Sequence, residues 1–257
     1  MNHPLINTLT VWQALFLRET LDRFFGSRAA WAWLVLEPAM HIGFISVVWS
    51  MLRRNSMGGI GMAMWIILGM LAFFLFRRTA VQTMHALDCN KAFFAFRQVR
   101  PFDVALVRGG VEAFSMFFIS LLILGTAAML GRNIIPDDPL KVLLALAGLW
   151  LFGLGYGLVT SVCMRLVPDS GHIFQILMMP LYLISGVIMP LVYLPMPYRG
   201  WLLWNPLVHG LELVRLGFFS NYHTMDVNFS YLYAWALGSI ALGLALYRGL
   251  ETRLVMQ

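Results

Sequence analysis

Long apolar runs separated by short polar segments dominate the pattern of this chain of 257 residues. A helix needs about 20 mainly apolar residues to cross a bilayer, and six runs approach or exceed that length. The alternation of polar and apolar residues that marks the strands of a membrane barrel is absent from the sequence. The pattern therefore predicts an all-α integral membrane protein, a single transmembrane domain over residues 1–257, with six transmembrane helices at residues 29–52, 60–76, 104–130, 142–164, 173–189 and 227–247.

The first 28 residues show helical periodicity without forming a span. Leu5, Leu9, Trp12 and Phe16 recur every three to four residues, whereas the charged residues cluster later in the segment. That pattern favours an N-terminal amphipathic interface helix lying on the inner membrane surface. The segment lacks the basic start and the cleavage site of a signal peptide, so we expect it to be retained. The clustered charges are Arg18, Glu19, Asp22 and Arg23.

Two features of the predicted spans need a structural reason. Glu37 lies near the start of the first span beside Pro38, and a carboxylate at that depth is costly unless it is paired or faces a wet cavity. The fourth span carries four glycines that would let another helix approach closely. These glycines are Gly148, Gly153, Gly155 and Gly157.

The most polar internal segment is the connector of residues 85–103, HALDCNKAFFAFRQVRPFD. It follows the second span without a turn signal, so we expect that helix to continue through Arg77 and Arg78 towards it. Pro101 suits the first position of the next helix, and Asp103 is placed to cap that helix. We interpret the connector as a basic, helical handle for a partner protein, because the sequence offers no soluble domain that could use it.

The segment of residues 190–226 is neither a clean span nor a polar loop. The four prolines from Pro190 to Pro206 rule out one continuous helix. We predict two outer re-entrant half-helices, at residues 197–204 and 206–219, that dip into the outer leaflet. Irregular backbone at that depth must be covered by protein or by a wet cavity.

Charge sets the expected orientation of the spans. Only 12% of the residues are charged, and the formal net charge is +6. Twelve of the 18 Lys and Arg residues fall in segments that we assign to the inner side, and such an excess places both termini and the connector in the cytoplasm. The six assigned to the outer side are Arg53, Arg54, Arg132, Lys141, Arg199 and Arg215.

The sequence holds none of the motifs that would make this chain an enzyme by itself. It has no G-x-x-x-x-G-K-[ST] phosphate loop, no H-E-x-x-H pair and no G-x-S-x-G elbow. Cys89 and Cys163 lie in different segments and match no metal-binding spacing. We therefore expect no catalytic residue, no metal site and no cofactor in this chain, and ATP hydrolysis would need a separate subunit.

The connector and its continuation, LDCNKAFFAFRQVRPFDVALVR, resemble the cytoplasmic motif of the inner-membrane permease subunits of capsular polysaccharide ABC exporters, members of the type-2 exporter family. The stretches LISGVIMPLVYLP and NPLVHGLELVRLGFF are similar to the outer loop of that family, and the resemblance covers essentially the whole chain. Phe96 departs from the family, which usually has tyrosine there. The positions that the resemblance marks for coupling to the ATPase are Asp88, Asn90, Lys91, Phe93, Phe94, Arg97, Arg100 and Asp103.

The resemblance implies a homodimer of this permease joined to two ATPase subunits, which bind ATP and magnesium, in a bacterial inner membrane. It also implies periplasmic membrane-fusion-type and outer-membrane export proteins as partners. The connector would be the coupling helix, with Phe93, Phe94 and Phe96 filling a pocket of the ATPase and basic residues around them. The alternative is that these phenylalanines lie on the membrane surface. Membrane lipids, and no nucleic acid, are the other partners we expect.

An acidic, lipid-linked capsular polysaccharide would pass between the two protomers, and its path needs weak, repeated positive contacts. We expect Arg77 and Arg78 at the inner mouth to contact the acidic sugars or the lipid-linked end. Aromatic faces could stack on sugar rings, although anchoring in the bilayer interface is their commoner use. The predicted channel residues are Arg77, Arg78, Arg53, Arg54, Glu37, Trp31 and Trp33, and the predicted outer-gate residues are Tyr193, Trp201 and Trp204.

Other functions remain open at this point. An O-antigen or teichoic acid exporter would share the same architecture. A membrane enzyme acting on lipid-linked sugars is the main alternative from another class. A secondary transporter with inverted repeats would need matching broken spans in its two halves, and the sequence does not show them.

Overall fold

The structure is a computed structural model that describes residues 4–26, 29–52, 60–89, 100–188, 191, 195–222, 224 and 227–250. The regular structure in that part of the chain is helical, which confirms the predicted all-α class. Its ten helices are α1 (Pro4–Phe25), α2 (Ala30–Leu52), α3 (Met62–Met84), α4 (Ala86–Cys89), α5 (Pro101–Met129), α6 (Pro139–Leu166), α7 (Ser170–Ile184), α8 (Met196–Leu202), α9 (Pro206–Phe218) and α10 (Phe229–Gly249).

Five of the described helices, α2, α3, α5, α6 and α10, are long and apolar enough to cross a membrane. The fifth predicted span, residues 173–189, corresponds to α7, which has 15 residues and contains Pro180. At 1.5 Å per residue, α7 is about 22 Å long, shorter than the roughly 30 Å of a hydrocarbon core. A sixth crossing by this segment therefore stays a prediction.

The contacts between helices define two ends of the bundle. Glu37 and His41 of α2 lie beside Arg77 and Phe74 of α3, so these two helices are antiparallel. By contrast α6 runs parallel to α3, and α10 runs parallel to α6, as the glycine contacts below show. We call the end that carries α4 the connector end and the other the opposite end.

Close approach at glycines joins α6 to both of its main neighbours. Added Cβ atoms on Gly153 and Gly157 would lie 2.8 Å from the backbone oxygens of Phe76 and Ala80 in α3. Gly148 and Gly155 face α10 instead, where an added Cβ would meet the Leu232 side chain or the Ile240 backbone nitrogen. The prediction that these four glycines admit neighbouring helices is confirmed.

The segment after α7 forms two short helices, as expected from its prolines. Pro206 is the first residue of α9, and the Asn205 side chain caps this helix by accepting from the backbone N–H of Leu207 at 3.1 Å. The other end of α9 is tied to the start of α6, where Asp138 N–H donates to the carbonyl of Gly217 at 2.8 Å. The two helices are confirmed, and their depth in a membrane stays a prediction.

A fully buried ion pair fixes α9 in place. Arg215 donates to Glu212 Oε1 at 2.8 Å, and its guanidinium carbon lies 3.7 Å from the centre of the Trp65 ring in α3. It also donates to the carbonyls of Gly186 and Val187, which follow α7, at 2.9 and 2.8 Å. We had counted Arg215 among the outer-side charges, but its guanidinium is enclosed by protein and links three parts of the bundle.

We predict that Gly157→Ala destabilises the protein, because its Cβ would lie 2.5 Å from Thr83 Cβ and 2.8 Å from the Ala80 oxygen. Overpacking of this kind typically costs about 1–3 kcal/mol, although alanine regains up to about 1 kcal/mol of helix propensity. The apparent melting temperature of the purified protein in detergent should fall. The control is Gly125→Ala in α5, where an added Cβ meets nothing within 4 Å and no loss is expected. Equal melting temperatures for the two variants would contradict close packing of α6 on α3.

We also predict that Arg215→Leu destabilises the protein by about 3–5 kcal/mol, because it leaves Glu212 buried without its cation. Tyr222, whose hydroxyl donates to Glu212 Oε2 at 2.6 Å, cannot replace that charge. The double variant Arg215→Leu/Glu212→Leu should recover most of the loss in thermal stability. An unchanged stability for Arg215→Leu alone would contradict the buried pair. Arg132→Leu, at an exposed arginine, is the control.

Candidate functional site

The connector begins as the sequence predicted. Helix α3 continues through Arg77 and Arg78 to Met84, and α4 follows after one turn residue, His85. Only the two ends of the connector are described. The predicted coupling residues Asn90, Lys91, Phe93, Phe94 and Arg97 lie outside the described residues, and so do the channel residues Arg53 and Arg54 and the gate residue Tyr193.

The first turn of the connector is bound to the α6–α7 junction. Asp88 accepts from Arg165 at 3.1 Å, and the Gln175 side-chain nitrogen lies 2.8 Å from His85 Nε2. These residues line a cavity of about 310 Å³ together with His172. Burial lowers the pKa of His85, while nearby Asp88 raises it to a smaller extent. The Asp88–Arg165 ion pair and the His85–Gln175 hydrogen bond hold the start of the connector against α6 and α7.

The last turn of the connector shows the predicted cap. Pro101 is the first residue of α5, and the backbone N–H of Arg100 donates to Asp103 Oδ2 at 3.0 Å. The other carboxylate oxygen of Asp103 accepts from Trp12 Nε1 of α1 at 2.8 Å. Asp103 therefore both caps α5 and attaches the interface helix to it.

Three side-chain hydrogen bonds, spaced along both helices, hold α1 against α5. They are Trp12 with Asp103, Glu19 with Arg108 and Arg23 with Glu112. Because the numbers rise together on both helices, α1 runs parallel to the first turns of α5. A helix is thus present where the interface helix was predicted, and its direction is set by α5. Its placement on the membrane surface stays a prediction.

Glu112 is the residue of this region that we did not single out from the sequence. Its side chain is 0% exposed and accepts from Arg23 of α1 and Arg78 of α3. Burial lowers the pKa of Arg23 to about 10, with Glu19 opposing the shift, so this arginine stays charged at neutral pH. The signal was available: a carboxylate inside the third predicted span needs a partner just as Glu37 does.

A polar cavity of about 200 Å³ lies between α2 and α3 near the connector end. It brings together three predicted channel residues, Glu37, Arg77 and Arg78, with His41 and Gln82. Glu37 thus lines a polar cavity, as expected for a carboxylate in a span. The two arginines differ, because Arg78 is paired with Glu112 whereas Arg77 is exposed and forms no ion pair with any described residue.

The predicted aromatic residues lie elsewhere. Trp31 and Trp33 are exposed on α2, at 57% and 68%, and do not line the cavity. Trp201 and Trp204 are exposed at the opposite end, around α8. All four tryptophans are exposed, and both of their expected uses, anchoring in the bilayer interface and stacking on sugar rings, stay predictions.

An all-helical bundle with five membrane-length helices and a polar connector is the architecture of a polytopic integral membrane protein. The comparison with known proteins gives the family. The chain belongs to the ABC-2 type transporter family, whose sequence profile matches residues 10–219.

The similar curated proteins are named as transport or export proteins of polysaccharides. The polysialic acid transport protein KpsM of Escherichia coli is 31% identical over 239 residues, which is 93% of each chain. The capsule polysaccharide export inner-membrane protein BexB of Haemophilus influenzae is 24% identical over 93% of this chain and 90% of its own. The corresponding protein CtrC of Neisseria meningitidis serogroup A is 25% identical over 90% of this chain and 88% of its own. The resemblance inferred from the connector motif is therefore confirmed.

Proposed function

We propose that this chain is the permease subunit of an ATP-driven exporter that moves an acidic, lipid-linked capsular polysaccharide across a bacterial inner membrane. The observation that carries the proposal is the match, over nearly the whole chain, to relatives named as capsule polysaccharide and polysialic acid transport proteins. The channel lies at the interface of a homodimer. Periplasmic membrane-fusion-type and outer-membrane export proteins continue the path.

The connector end faces the cytoplasm in this proposal, and both termini lie on that side. The excess of Lys and Arg assigned to the inner side supports this orientation. Helix α7 and the residues after it complete the sixth crossing, since their contacts run from His85 at the connector end to Arg215 at the opposite end. Helices α8 and α9 form the two re-entrant half-helices, and the burial of nearly every residue of α9 supports a position inside the protein.

The connector couples the permease to two ATPase subunits, which bind ATP and magnesium. Its two described ends are fixed to the bundle, by Asp88 with Arg165 and by Asp103 with Trp12. Such fixed ends would let a partner that holds the middle of the connector move the helices attached to it. The aromatic residues in that middle are the anchors that we propose for the ATPase pocket.

The cavity between α2 and α3 is the proposed inner entrance of the polysaccharide path. Arg77 supplies the exposed guanidinium there, because Glu112 holds Arg78 inside the bundle. The Glu37 carboxylate lines the same cavity and offsets part of that charge. A single exposed cation attracts a polyanion without holding it, as stepwise movement of a long polymer requires. The polar lining contributed by Glu37 and Gln82 keeps this entrance hydrated.

We predict that Phe93→Asp/Phe94→Asp abolishes co-purification of the ATPase while membrane insertion remains normal. A buried aromatic anchor contributes about 2 kcal/mol or more, so affinity should fall by at least about thirtyfold. The control is Phe96→Tyr, which introduces the residue usual in the family and should leave binding unchanged. Normal co-purification of the double variant would remove these residues from the ATPase contact.

We predict that Arg77→Ala lowers export of an acidic polymer roughly tenfold, since a hydrogen bond to a charged group is worth about 1.5–3 kcal/mol. Surface capsule is measured by immunostaining of intact cells, at matched permease levels. Arg77→Lys keeps the charge and should retain most of the export. Undiminished capsule in the Arg77→Ala strain would exclude this arginine from the path.

A further inference from the structure

Glu112 occupies a junction of three helices. It lies on α5, its side chain is fully buried, and each carboxylate oxygen accepts from a different helix. Oε2 accepts from Arg23 Nη1 of α1, and Oε1 accepts from Arg78 Nε of α3. A buried carboxylate is strongly unfavourable unless its partners stay in place, so this residue penalises any separation of the three helices.

The junction also lies between the connector and the proposed entrance. On the connector side, Arg108 of α5 pairs with Glu19 of α1 at 2.9 Å and reaches the carbonyl of His85 at 3.4 Å. On the entrance side, Arg78 lines the same cavity as Arg77 and Glu37. Charged contacts thus run from the start of the connector through α1 to the entrance, and Glu112 is the member shared by α1 and α3.

Stability alone does not explain this arrangement. Apolar residues of similar volume hold helices together at least as well as a buried ion pair. The ion pair adds a fixed geometry, because a carboxylate that accepts from two guanidinium groups allows little relative movement of the helices that carry these groups. Ser115, one turn further along α5, illustrates the contrast, since within the described part of the chain its buried hydroxyl donates only to Val111 O of the same helix.

We infer that Glu112 is a positioning residue that fixes the interface helix α1 to the connector end of α3, so that α1 and the entrance move together when the connector moves. The part of this inference that concerns transport rests on the proposed function. The contacts of Glu112 with Arg23 and Arg78 do not depend on the proposed function. Loss of the Glu112 charge would loosen the end of α1 that carries Arg23 and separate ATP hydrolysis from polymer movement.

The test compares Glu112→Gln, Glu112→Asp and the control Ser115→Ala, each as the full chain co-expressed with its ATPase. Hydrogen exchange of peptides from α1 should accelerate at least about tenfold in Glu112→Gln, less in Glu112→Asp and not in Ser115→Ala. Peptides from α9, which lies at the opposite end of the bundle, should exchange as in the wild type. Unchanged exchange of α1 in Glu112→Gln would overturn the inference, whatever the chain transports.

The same complexes distinguish positioning from simple loss of folded protein. We expect Glu112→Gln to keep more than about half of the ATP hydrolysis while export of an acidic polymer falls at least about fivefold, and Glu112→Asp to regain part of the export. Equal losses of hydrolysis and export, or full export with a loosened α1, would overturn the positioning role.

If Glu112→Gln does not fold, the charge-balanced Glu112→Gln/Arg23→Gln is tested against the same outcomes. Absence of export by the wild-type complex would refute the proposed function instead, while the exchange of α1 would still decide the junction.

Discussion

The cost of placing a charge inside a bundle of apolar helices organises this protein. A carboxylate in such surroundings is tolerated only where cations meet it directly. Two fully buried carboxylates satisfy this condition at opposite ends of the bundle, Glu112 with Arg23 and Arg78, and Glu212 with Arg215. Glu112 joins distant segments directly, whereas Glu212 does so through Arg215, which contacts α3 and the residues after α7. The positions of α1 and α9 therefore follow from where these two charges are paired.

Helix α3 belongs to both clusters and therefore links them. Trp65 near its start lies under the Arg215 guanidinium, and Arg78 near its end pairs with Glu112. The two residues are 13 positions apart, about 20 Å along an α-helix. Nearly all of the α3 side chains between them are buried, and α6 approaches this stretch at Gly153. Such dense packing makes α3 a stiff connection between the proposed entrance and the opposite end, since close-packed interiors deform little.

The sequence predicts those features that depend on neighbouring residues. Runs of apolar residues predict the long helices, Asp103 and Pro101 predict the start of α5, and the prolines around α8 predict the break before α9. The pairing of Glu112 depends instead on the arrangement of helices, because its partners Arg78 and Arg23 are 34 and 89 residues away. Glu212 and Arg215 are a different case, because their spacing of three residues places them on one helix face. That spacing could have indicated an internal pair rather than an outer-side charge.

The family resemblance was also read from local sequence, since the connector motif is continuous. The candidate site could be predicted only in part, because contacts between helices that are distant in sequence cannot be read from local sequence. Glu37, Arg77 and Arg78 were each suspected from their position near the ends of spans, and the fold brings them to one cavity. Nothing in the sequence distinguished the two arginines, because that distinction depends on α5.

Adjacent residues on a helix point about 100° apart, and this geometry gives the two arginines separate roles. Arg78 is directed towards α5, where Glu112 accepts from it, while Arg77 is exposed and lines the cavity beside α2. Two available guanidinium groups side by side would bind a carboxylate or phosphate tightly and from several directions. Pairing Arg78 with Glu112 inside the protein leaves Arg77 as the exposed guanidinium among the described residues of the entrance, beside the Glu37 carboxylate. A polymer carrying many acidic groups can then exchange one group for the next at little cost, which is the condition for moving it through a channel without trapping it.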